Sequence, residues 1–368
     1  MEIVFIVGSL QALFFAVLVF SKKQKSTSDY ILGFWLLLFC IHLLFPFFAY
    51  QDYPKYAGIG GTDGPLFLAH VVMLYLYTQS LIKGFQKKHL LHLIPVVIAY
   101  IVMLPYIILP AELKQQIGND IDKATPYLWI FGLMMLSFCS YYIRGVLHEV
   151  KNHQRKIRSL FSYEELINLR WISILGYGFF AILITTLVLI SSMFVYHLKP
   201  LTGDYISYSM IVIFIYMIGY WGYRQNRIFV FENSYSGFYI QKLVKKPDSP
   251  IKDITEDDLN FRERLYNYMV SEKPYLNGKL SLIELANNMN TTTHYISHIL
   301  NNVANISFYD YVNSFRLEEV KQNLTPENIE KYTILGIAYN CGFNSKATFN
   351  RIFKNNTGLS PSEYISTI

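Results

Sequence analysis

Long apolar segments dominate the first 230 residues of the chain. Seven segments of 19 residues or more contain no Asp, Glu, Lys or Arg, and they span residues 3–21, 30–51, 64–82, 89–111, 124–143, 171–198 and 205–223. A helix rises about 1.5 Å per residue, so roughly 20 residues cross a hydrocarbon core about 30 Å thick. A helix of a soluble protein rarely needs to be apolar on every face over that length. The pattern therefore predicts seven transmembrane helices.

The loops between these segments differ in their content of basic residues. The loops after the first, third, fifth and seventh segments hold 14 Lys and Arg residues, whereas those on the opposite side hold 4. Cytoplasmic loops of membrane proteins carry an excess of Lys and Arg. We therefore expect a multi-pass protein of the inner (cytoplasmic) membrane, embedded in the lipid bilayer, with its N-terminus outside and its C-terminus in the cytoplasm. The composition fits, because 52% of the residues are hydrophobic and 16% are charged.

The pattern changes after the last apolar segment. Residues 229–258 include the stretch Lys245-Lys246-Pro247-Asp248-Ser249-Pro250, in which two prolines among charges make a poor helix and favour a spacer. Residues 259–368 have the polarity of a soluble domain. The sequence therefore predicts an all-α chain in three parts, namely a seven-span transmembrane domain at 1–228, a cytoplasmic linker at 229–258 and a soluble domain at 259–368.

The soluble domain contains a diverged internal repeat. Ala286 of the first copy corresponds to Ala338 of the second, an offset of 52 residues, while the apolar residues of the next helix correspond at an offset of 53. Each copy has a short helix that ends at a tight turn, where Gly342 and Asn290 suit a left-handed backbone. The extra residue falls in the turn. This is the pattern of a double helix-turn-helix, whose second helix fits the major groove of DNA.

The second helix of each copy is amphipathic. Its apolar residues recur at i, i+3 and i+4 and define a buried face. Thr292 in copy one, and Asn344 or Ser345 in copy two, can cap its first turn by accepting a backbone N–H bond. The polar face is a candidate DNA-reading surface, formed by His294, Ser297, His298 and Asn301 in copy one and by Ala347, Asn350, Arg351 and Lys354 in copy two.

Several motifs in residues 260–368 resemble the DNA-binding domain of the AraC/XylS family of bacterial regulators. The most specific are Phe349-Asn350-Arg351-Ile352-Phe353-Lys354 and the following Thr357-Gly358-Leu359-Ser360-Pro361-Ser362-Glu363-Tyr364. The resemblance implies two helix-turn-helix units joined by a long helix, here about 307–323, with both second helices in successive major grooves. The chain departs from the family at Asn305, where Gly is usual, and at Val320, where Ala is usual. As a whole it resembles a membrane-anchored member of this family.

Copy two carries the expected base readers. The domain has ten basic and nine acidic residues from 260 to 368, but residues 344–356 hold three basic residues and no acid. Local positive charge suits phosphate and guanine contacts. We expect Arg351 to read guanine, Lys346 to read another base edge beside Ala347, and Asn350 to read adenine or bind phosphate. Lys354 is expected to hold phosphate.

Copy one is expected to contribute less. Its polar face carries no Lys or Arg. We expect His294, Ser297 and His298 to be weaker base readers and Thr292 to hold phosphate. Arg316 has a different expected role, because it lies in the middle of the joining helix. We expect it to form a structural ion pair with Glu284 or Glu318.

Other chemistry is not indicated by the sequence. It contains no phosphate-binding glycine loop, kinase signature or nucleophile elbow. The three cysteines have no zinc or disulfide spacing. Three histidines in the apolar segments, His42, His70 and His92, are expected to make hydrogen bonds between packed helices. We therefore expect no enzyme activity, cofactor or metal.

The leading interpretation is a membrane-embedded, sequence-specific transcriptional regulator that binds double-stranded DNA. Its spans would sense an unknown small-molecule or protein signal, and the chain would act as a monomer or a homodimer. An alternative is a membrane transporter or sensor whose degenerate helix-turn-helix tail is a protein-interaction module. A third is a constitutive anchor without sensing, in which case removal of the spans would leave DNA binding unchanged.

Overall fold

The computed structural model describes residues 2–50, 62–114, 121–165, 167–196, 200–225 and 254–366, which are helical apart from turns and one isolated β-bridge between Phe161 and Ser281. The chain divides into two compact units. One comprises Met1–Lys151 with Leu169–Phe229, and the other comprises Asn152–Asn168 with Val230–Ile368. The all-helical class predicted from the sequence is confirmed for this part of the chain. Most of the predicted linker, up to residue 253, lies outside the described residues.

The first unit contains the apolar helices. They are α1 (Glu2–Phe20), α2 (Thr27–Tyr50), α3 (Gly64–Ile82), α4 (Ile94–Ile107), α5 (Ile121–Leu160), α6 (Arg170–Tyr196) and α7 (Pro200–Arg224). A 3₁₀ helix, Lys87–Leu93, precedes α4, and Pro95 stands in the first turn of α4, where its missing N–H costs no helical hydrogen bond. Counted with that 3₁₀ turn, seven helices in the described ranges have the length and hydropathy needed to cross a membrane.

Buried polar contacts hold the turn between α1 and α2 and join α2 to α3. The turn between α1 and α2 is closed by a buried ion pair between Lys22 Nζ and Asp29 Oδ1, 2.6 Å apart. Between α2 and α3, His42 Nδ1 and His70 Nε2 are hydrogen-bonded at 2.8 Å, and Trp35 Nε1 donates to His70 Nδ1 at 3.3 Å. A buried polar group needs such a partner. These two histidines therefore make the interhelical hydrogen bonds expected from the sequence.

Helix α5 is much longer than the apolar pattern indicated. The sequence predicts a span at 124–143 followed by a basic loop, but the helix continues to Leu160 and has 40 residues. Its extension buries Val146, Val150 and Ile157, whose spacings of four and seven residues place them on one face of a helix. The prediction of a loop was wrong because it relied on uninterrupted apolar segments, and charged residues lie between the members of this apolar stripe.

The second unit contains eight further α-helices in the described residues. They are α8 (Glu256–Glu272), α9 (Leu282–Asn288), α10 (Thr293–His298), α11 (Phe308–Asn323), α12 (Pro326–Lys331), α13 (Ile334–Asn340), α14 (Lys346–Thr357) and α15 (Pro361–Ile365). Helix α11 is the joining helix, and its bounds agree with the expected 307–323. The segment from residue 152 to residue 168 packs with these helices, whereas the sequence assigned it to the transmembrane domain.

Helix α11 takes part in two hydrophobic cores. Phe308 and Val312 belong to a core shared with α8, α9 and α10. Leu317 and Val320 belong to a second core shared with α13 and α14. Each core therefore holds one copy of the repeat against its own part of the same helix. Asn305 before α11 has a φ of 50°, so it adopts the left-handed conformation expected of a residue that replaces Gly.

Candidate DNA-binding interface

The two turns of the repeat have the same hydrogen-bonding pattern. After α9, the N–H of Thr291 bonds to the carbonyl of Ala286 at 2.9 Å, and after α13 the N–H of Phe343 bonds to the carbonyl of Ala338 at 3.1 Å. A left-handed residue precedes each donor, with a φ of 53° at position 290 and 90° at Gly342. This is the six-to-one bond of a Schellman helix ending. The repeat inferred from the sequence is therefore a repeat in three dimensions.

The extra residue of copy two is Asn344. The offset between the copies is 52 at Phe343 and becomes 53 at Ser345. Asn344 uses its side chain to join parts of the domain, because its Nδ2 donates to the carbonyl of Gly278 at 2.5 Å. This extra residue therefore joins the turn of copy two, by a hydrogen bond, to the residues that precede copy one.

Hydroxyl side chains begin both second helices. The Oγ1 of Thr292 accepts the N–H of Tyr295 at 3.2 Å, and the Oγ of Ser345 accepts the N–H of Thr348 at 3.3 Å. Each bond satisfies a donor that the first turn of a helix leaves open. Of the two capping residues considered for copy two, Ser345 makes the cap. Helix α14 then continues for 12 residues and ends at Gly358, which has a φ of 79°.

The polar face of α14 carries the candidate residues of copy two. The five candidate residues of copy two are all exposed, namely Lys346, Ala347, Asn350, Arg351 and Lys354. On the opposite face, Phe349, Ile352 and Phe353 are buried in the second core. The helix therefore exposes a polar face with three basic residues and packs its apolar face on the second core, which is the arrangement of a groove-reading helix.

Arg351 makes contacts within the protein even though 41% of its side chain is exposed. Its Nη2 donates to the hydroxyl of Tyr309 at 2.8 Å and lies 3.8 Å from Oε2 of Glu164. Its neighbour on α14, Thr348, donates from Oγ1 to Oε1 of Glu165 at 2.5 Å. The helix-turn-helix pattern gave no indication of these partners, because the two glutamates lie more than 180 residues earlier in the chain.

Copy one presents a shorter and less accessible surface. Helix α10 has six residues and continues as a π-helical turn, Ile299–Val303. Thr292 and His294 are exposed, whereas Ser297 and His298 are half-buried. The Nε2 of His298 lies 3.7 Å from Oδ2 of Asp258 on α8, and its Nδ1 is 2.8 Å from Nδ2 of Asn302. The histidine therefore already has partners within the domain.

Asp258 belongs to the structure at the start of α8. Its carboxylate accepts the N–H of Thr255 at 3.0 Å, which completes a capping box. That backbone bond, together with the Thr255 hydroxyl, lowers the pKa of Asp258 below its ordinary value. The residue is therefore a carboxylate at neutral pH, and it faces the side of copy one that the sequence assigned to DNA.

The expected ion pair of Arg316 is absent from the described residues. Arg316 is 1% exposed and its donors go to backbone carbonyls and neutral side chains. Glu284 accepts instead from Asn277, and Glu318 pairs with Lys321. The prediction of an ion pair was therefore wrong, although the structural role was placed correctly. A planar guanidinium with five donors suits a ring of carbonyls as well as it suits a carboxylate.

Comparison with known proteins agrees with this geometry. A family model described as a helix-turn-helix domain matches residues 285–367, which include both second helices. The match supports an AraC-like helix-turn-helix domain at the C-terminus, and we refer to residues 259–368 as the AraC-type domain. The chain is also 37% identical over 71 residues to the uncharacterized HTH-type transcriptional regulator YijO of Escherichia coli (strain K12). That alignment covers 19% of this chain and 24% of the relative, so the chain spans about a quarter of the relative it matches. No solved structure matches the chain.

The two matches support a DNA-binding transcriptional regulator. The family model covers residues 285–367 and does not extend to the apolar helices. Within the described residues, no group of three or more His, Cys, Asp or Glu side chains is arranged to hold a metal ion.

Proposed function

We propose that the chain is a membrane-embedded regulator that binds DNA sequence-specifically through its AraC-type domain and changes that binding when its spans receive a signal. The observation that carries the proposal is the exposed face of α14, where Lys346, Arg351 and Lys354 project from a helix without an acidic residue. Such a face can enter the major groove and neutralise phosphates on its walls. Seven helices of membrane-crossing length in the same chain support the membrane location.

Four exposed residues of α14 have a proposed role in this interface. Arg351 would contact a guanine with two parallel N–H donors, because its side chain has the length and the fork for that contact. Lys346 would contact a second base edge beside Ala347, and Asn350 an adenine or a phosphate. Lys354, nearer the end of the helix, would contact phosphate only. Phosphate contacts set the register of the helix, and base contacts select the sequence.

Copy one would mainly position the protein on DNA. Thr292 keeps a hydroxyl proton for a phosphate oxygen while its oxygen caps α10. His294 is exposed and can reach a base edge. Ser297 and His298 would be secondary contacts, because both are half-buried and already bonded within the domain. Sequence selection would therefore depend more on copy two than on copy one.

The spans would act as the sensor. A signal changes DNA binding only if it binds two states of the protein with different affinities. The orientation proposed from the basic loops places the AraC-type domain in the cytoplasm, where it meets DNA. The signal that binds the two states with different affinities could be a small molecule in the membrane or outside the cell, a partner protein or a second copy of the chain.

The test is selection of DNA by the full chain in lipid nanodiscs from a pool of random duplexes, at two salt concentrations. We expect the native chain to enrich one motif and Arg351→Ala to lose or change the preference at one position of that motif. The matched control is Arg262→Ala, which removes an exposed arginine from α8. Binding without enrichment would leave phosphate attraction alone. No binding by any variant would favour the interaction-module alternative.

A further inference from the structure

Residues 161–165, which we name the docking segment, lie against the AraC-type domain. Phe161 forms a β-bridge with Ser281, and the N–H and hydroxyl of Ser162 both donate to the carbonyl of Leu280, at 3.2 and 2.7 Å. Arg316 bonds to Ser162 from the other side, with Nη1 on its carbonyl and Nη2 on its hydroxyl, both at 2.9 Å. Ser162 is consequently buried. The segment is thus bound by backbone and side-chain contacts together.

The two glutamates of the docking segment contact α14. Glu165 accepts the hydroxyl of Thr348, and Glu164 lies between two guanidinium groups, those of Arg158 at 2.5 Å and Arg351 at 3.8 Å. Glu165 contacts the first turn of α14 through Thr348, and Glu164 contacts Arg351 three residues later. The Glu164 side chain is 15% exposed. Two carboxylates therefore lie against side chains of the helix to which the proposed function assigns DNA binding.

Arg351 contacts both the docking segment and Tyr309 of α11. Its Nη2 is bonded to the hydroxyl of Tyr309, and its guanidinium lies 6.0 Å from the centre of that buried ring. The guanidinium of Arg158 lies 5.4 Å from the same ring. A bidentate contact with guanine uses two N–H donors of an arginine. The hydrogen bond to Tyr309 occupies one of the donors on Nη2 and holds the guanidinium beside the docking segment.

The groove is too narrow for α14 and the docking segment together. Thr348 and Arg351 are three positions apart, which is about 60° around a helix, so the segment covers one edge of the polar face. The major groove is about 12 Å wide, and a helix with its side chains is about 10–12 Å across. A further stretch of chain against the edge of α14 would meet the phosphate wall, with two carboxylates facing it.

We propose that the docking segment is an autoinhibitory element that competes with DNA for α14. The inference rests on the proposed function, since it needs DNA as the competing ligand. In the docked state, Glu164 and Glu165 hold Arg351 and Thr348. In the released state these side chains are available to the groove. The partner for this surface of the domain is therefore a segment of the chain itself.

The position of the segment in the chain explains how a signal would release it. Residues 161–165 follow the end of α5 directly, and α6 begins at Arg170. Both helices contain stretches of membrane-crossing length. A displacement of either helix is therefore passed to the docking segment through only a few residues. This route does not require the linker at 229–258 to transmit a conformational change.

The test compares the full chain with the double variant Glu164→Gln, Glu165→Gln in nanodiscs. The probe is a mixed-sequence DNA duplex of about 20 base pairs, which offers two turns of major groove, at one fixed ionic strength. The matched control is Glu327→Gln, Glu330→Gln on α12, which changes the net charge of the same domain by the same amount. We expect the docking variant to bind DNA at least about fivefold more tightly than the native chain, the lower end of common allosteric effects, and the control to change affinity less.

A second measurement follows the segment directly. In the native chain, saturating DNA should accelerate amide hydrogen exchange within residues 161–165, because DNA displaces the segment. The inference is overturned if the docking variant binds no more tightly than the control variant, or if exchange of the segment is unchanged when DNA is bound. In both cases DNA binding itself persists, so the proposed function stands. If none of the chains binds DNA, the proposed function fails and this inference fails with it.

Discussion

Arg316 donates from Nη1 to the backbone carbonyl of Ser162 at 2.9 Å, across 154 residues of sequence. The other N–H groups of its guanidinium go to Tyr275, Asn277, Asn313 and the Ser162 hydroxyl. All five donors are therefore used, and the acceptors are carbonyl and hydroxyl oxygens. Burial lowers the pKa of Arg316 to about 10, so the side chain remains charged at neutral pH.

Replacing Arg316 with lysine should destabilise the AraC-type domain by about 2–3 kcal/mol. A lysine has three donors and no planar fork, so several buried carbonyls lose charge-assisted bonds. Arg262→Lys, on the exposed side of α8, should change stability by less than about 0.5 kcal/mol. The measurement is the rate at which Cys341 reacts with a thiol reagent in increasing denaturant, in a chain whose other two cysteines are replaced. If Arg316→Lys and Arg262→Lys unfold at the same denaturant concentration, a stabilising role for the Arg316 guanidinium is contradicted.

Cys341 is a suitable reporter for the folded domain. Its side chain is buried in the second core between α13 and α14. Burial raises the pKa of its thiol to about 11, with the nearby Glu319 adding to the effect. Since the thiolate is the reactive form, a folded domain at neutral pH should resist labelling. Reaction then reports unfolding of this core rather than of the apolar helices.

A matched pair of glycine substitutions separates two losses of stability, one from a steric clash and one from backbone strain. Gly342 and Gly358 both have left-handed backbones, with φ of 90° and 79°. A Cβ at Gly342 would lie 2.3 Å from the carbonyl oxygen of Tyr275 and 2.9 Å from Nε of Arg316, whereas a Cβ at Gly358 would meet nothing within 4 Å. Gly358→Ala should therefore cost about 1–2 kcal/mol from backbone strain alone. Gly342→Ala should cost about 3 kcal/mol or more, because overpacking is added. If Gly342→Ala and Gly358→Ala lower the free energy of unfolding equally in the Cys341 assay, the predicted steric clash at Gly342 is contradicted.

The local features of the AraC-type domain could be predicted because they depend on residues close together in the sequence. The left-handed turn residue Gly342, the cap at Ser345 and the buried stripe through Phe349 follow from backbone sterics and helical periodicity. The joining helix follows in the same way, since the expected 307–323 is observed as Phe308–Asn323.

The contacts of Arg316 and Arg351 could not be predicted because their partners are distant in the chain. Ser162, Glu164 and Glu165 lie in a loop between apolar helices, and nothing in their spacing relates them to α11 or α14. One signal was present. Glu164-Glu165 is an adjacent acidic pair in a loop region otherwise rich in Lys and Arg. When such a pair is buried away from water, its charges need basic or hydrogen-bonding partners.

The interaction of Glu319 with Lys273 should stabilise the domain in a pH-dependent way. Burial alone would raise the pKa of Glu319, but hydrogen bonds from Lys273 and Tyr275 outweigh that effect and lower the pKa below its ordinary value. A carboxyl group whose pKa is lower in the folded state than in the unfolded state stabilises the folded state when the pH is above the unfolded pKa. That stabilisation is lost as the pH falls through the folded pKa. Glu319→Gln should therefore be less stable than the native chain at pH 6 to 7, and the difference should shrink as pH falls through the folded pKa.

Glu318→Gln is the control for that pH dependence. Glu318 pairs with Lys321 at the surface, and its side chain is 62% exposed. Surface pairs of this kind contribute little to stability. The pH profile of unfolding for this variant should follow that of the native chain. If Glu318→Gln and Glu319→Gln have the same profile, the Lys273 contact does not produce the effect.

Lys354 and Arg351 should differ in how their loss changes DNA binding. Lys354→Ala removes a proposed phosphate contact, so it should weaken binding equally across sequences and reduce the slope of log affinity against log salt by about 0.9. Arg351→Ala should instead relax the preference at one base pair. Lys331→Ala on α12, which removes the ion pair with Glu327, should leave both properties close to those of the native chain. A change of sequence preference in Lys354→Ala would reassign it as a base reader.

The proposed orientation predicts which loops a membrane-impermeant maleimide can reach. Lys25 follows α1 in a basic loop, and Glu112 follows α4 in a loop on the opposite side, and both are exposed. In a cysteine-free background, Glu112→Cys should react in intact spheroplasts, whereas Lys25→Cys should react only after lysis. The reason is that the excess of Lys and Arg marks the cytoplasmic side. The reverse labelling would place the AraC-type domain outside the cytoplasm and away from DNA, and it would contradict the membrane-embedded regulator directly.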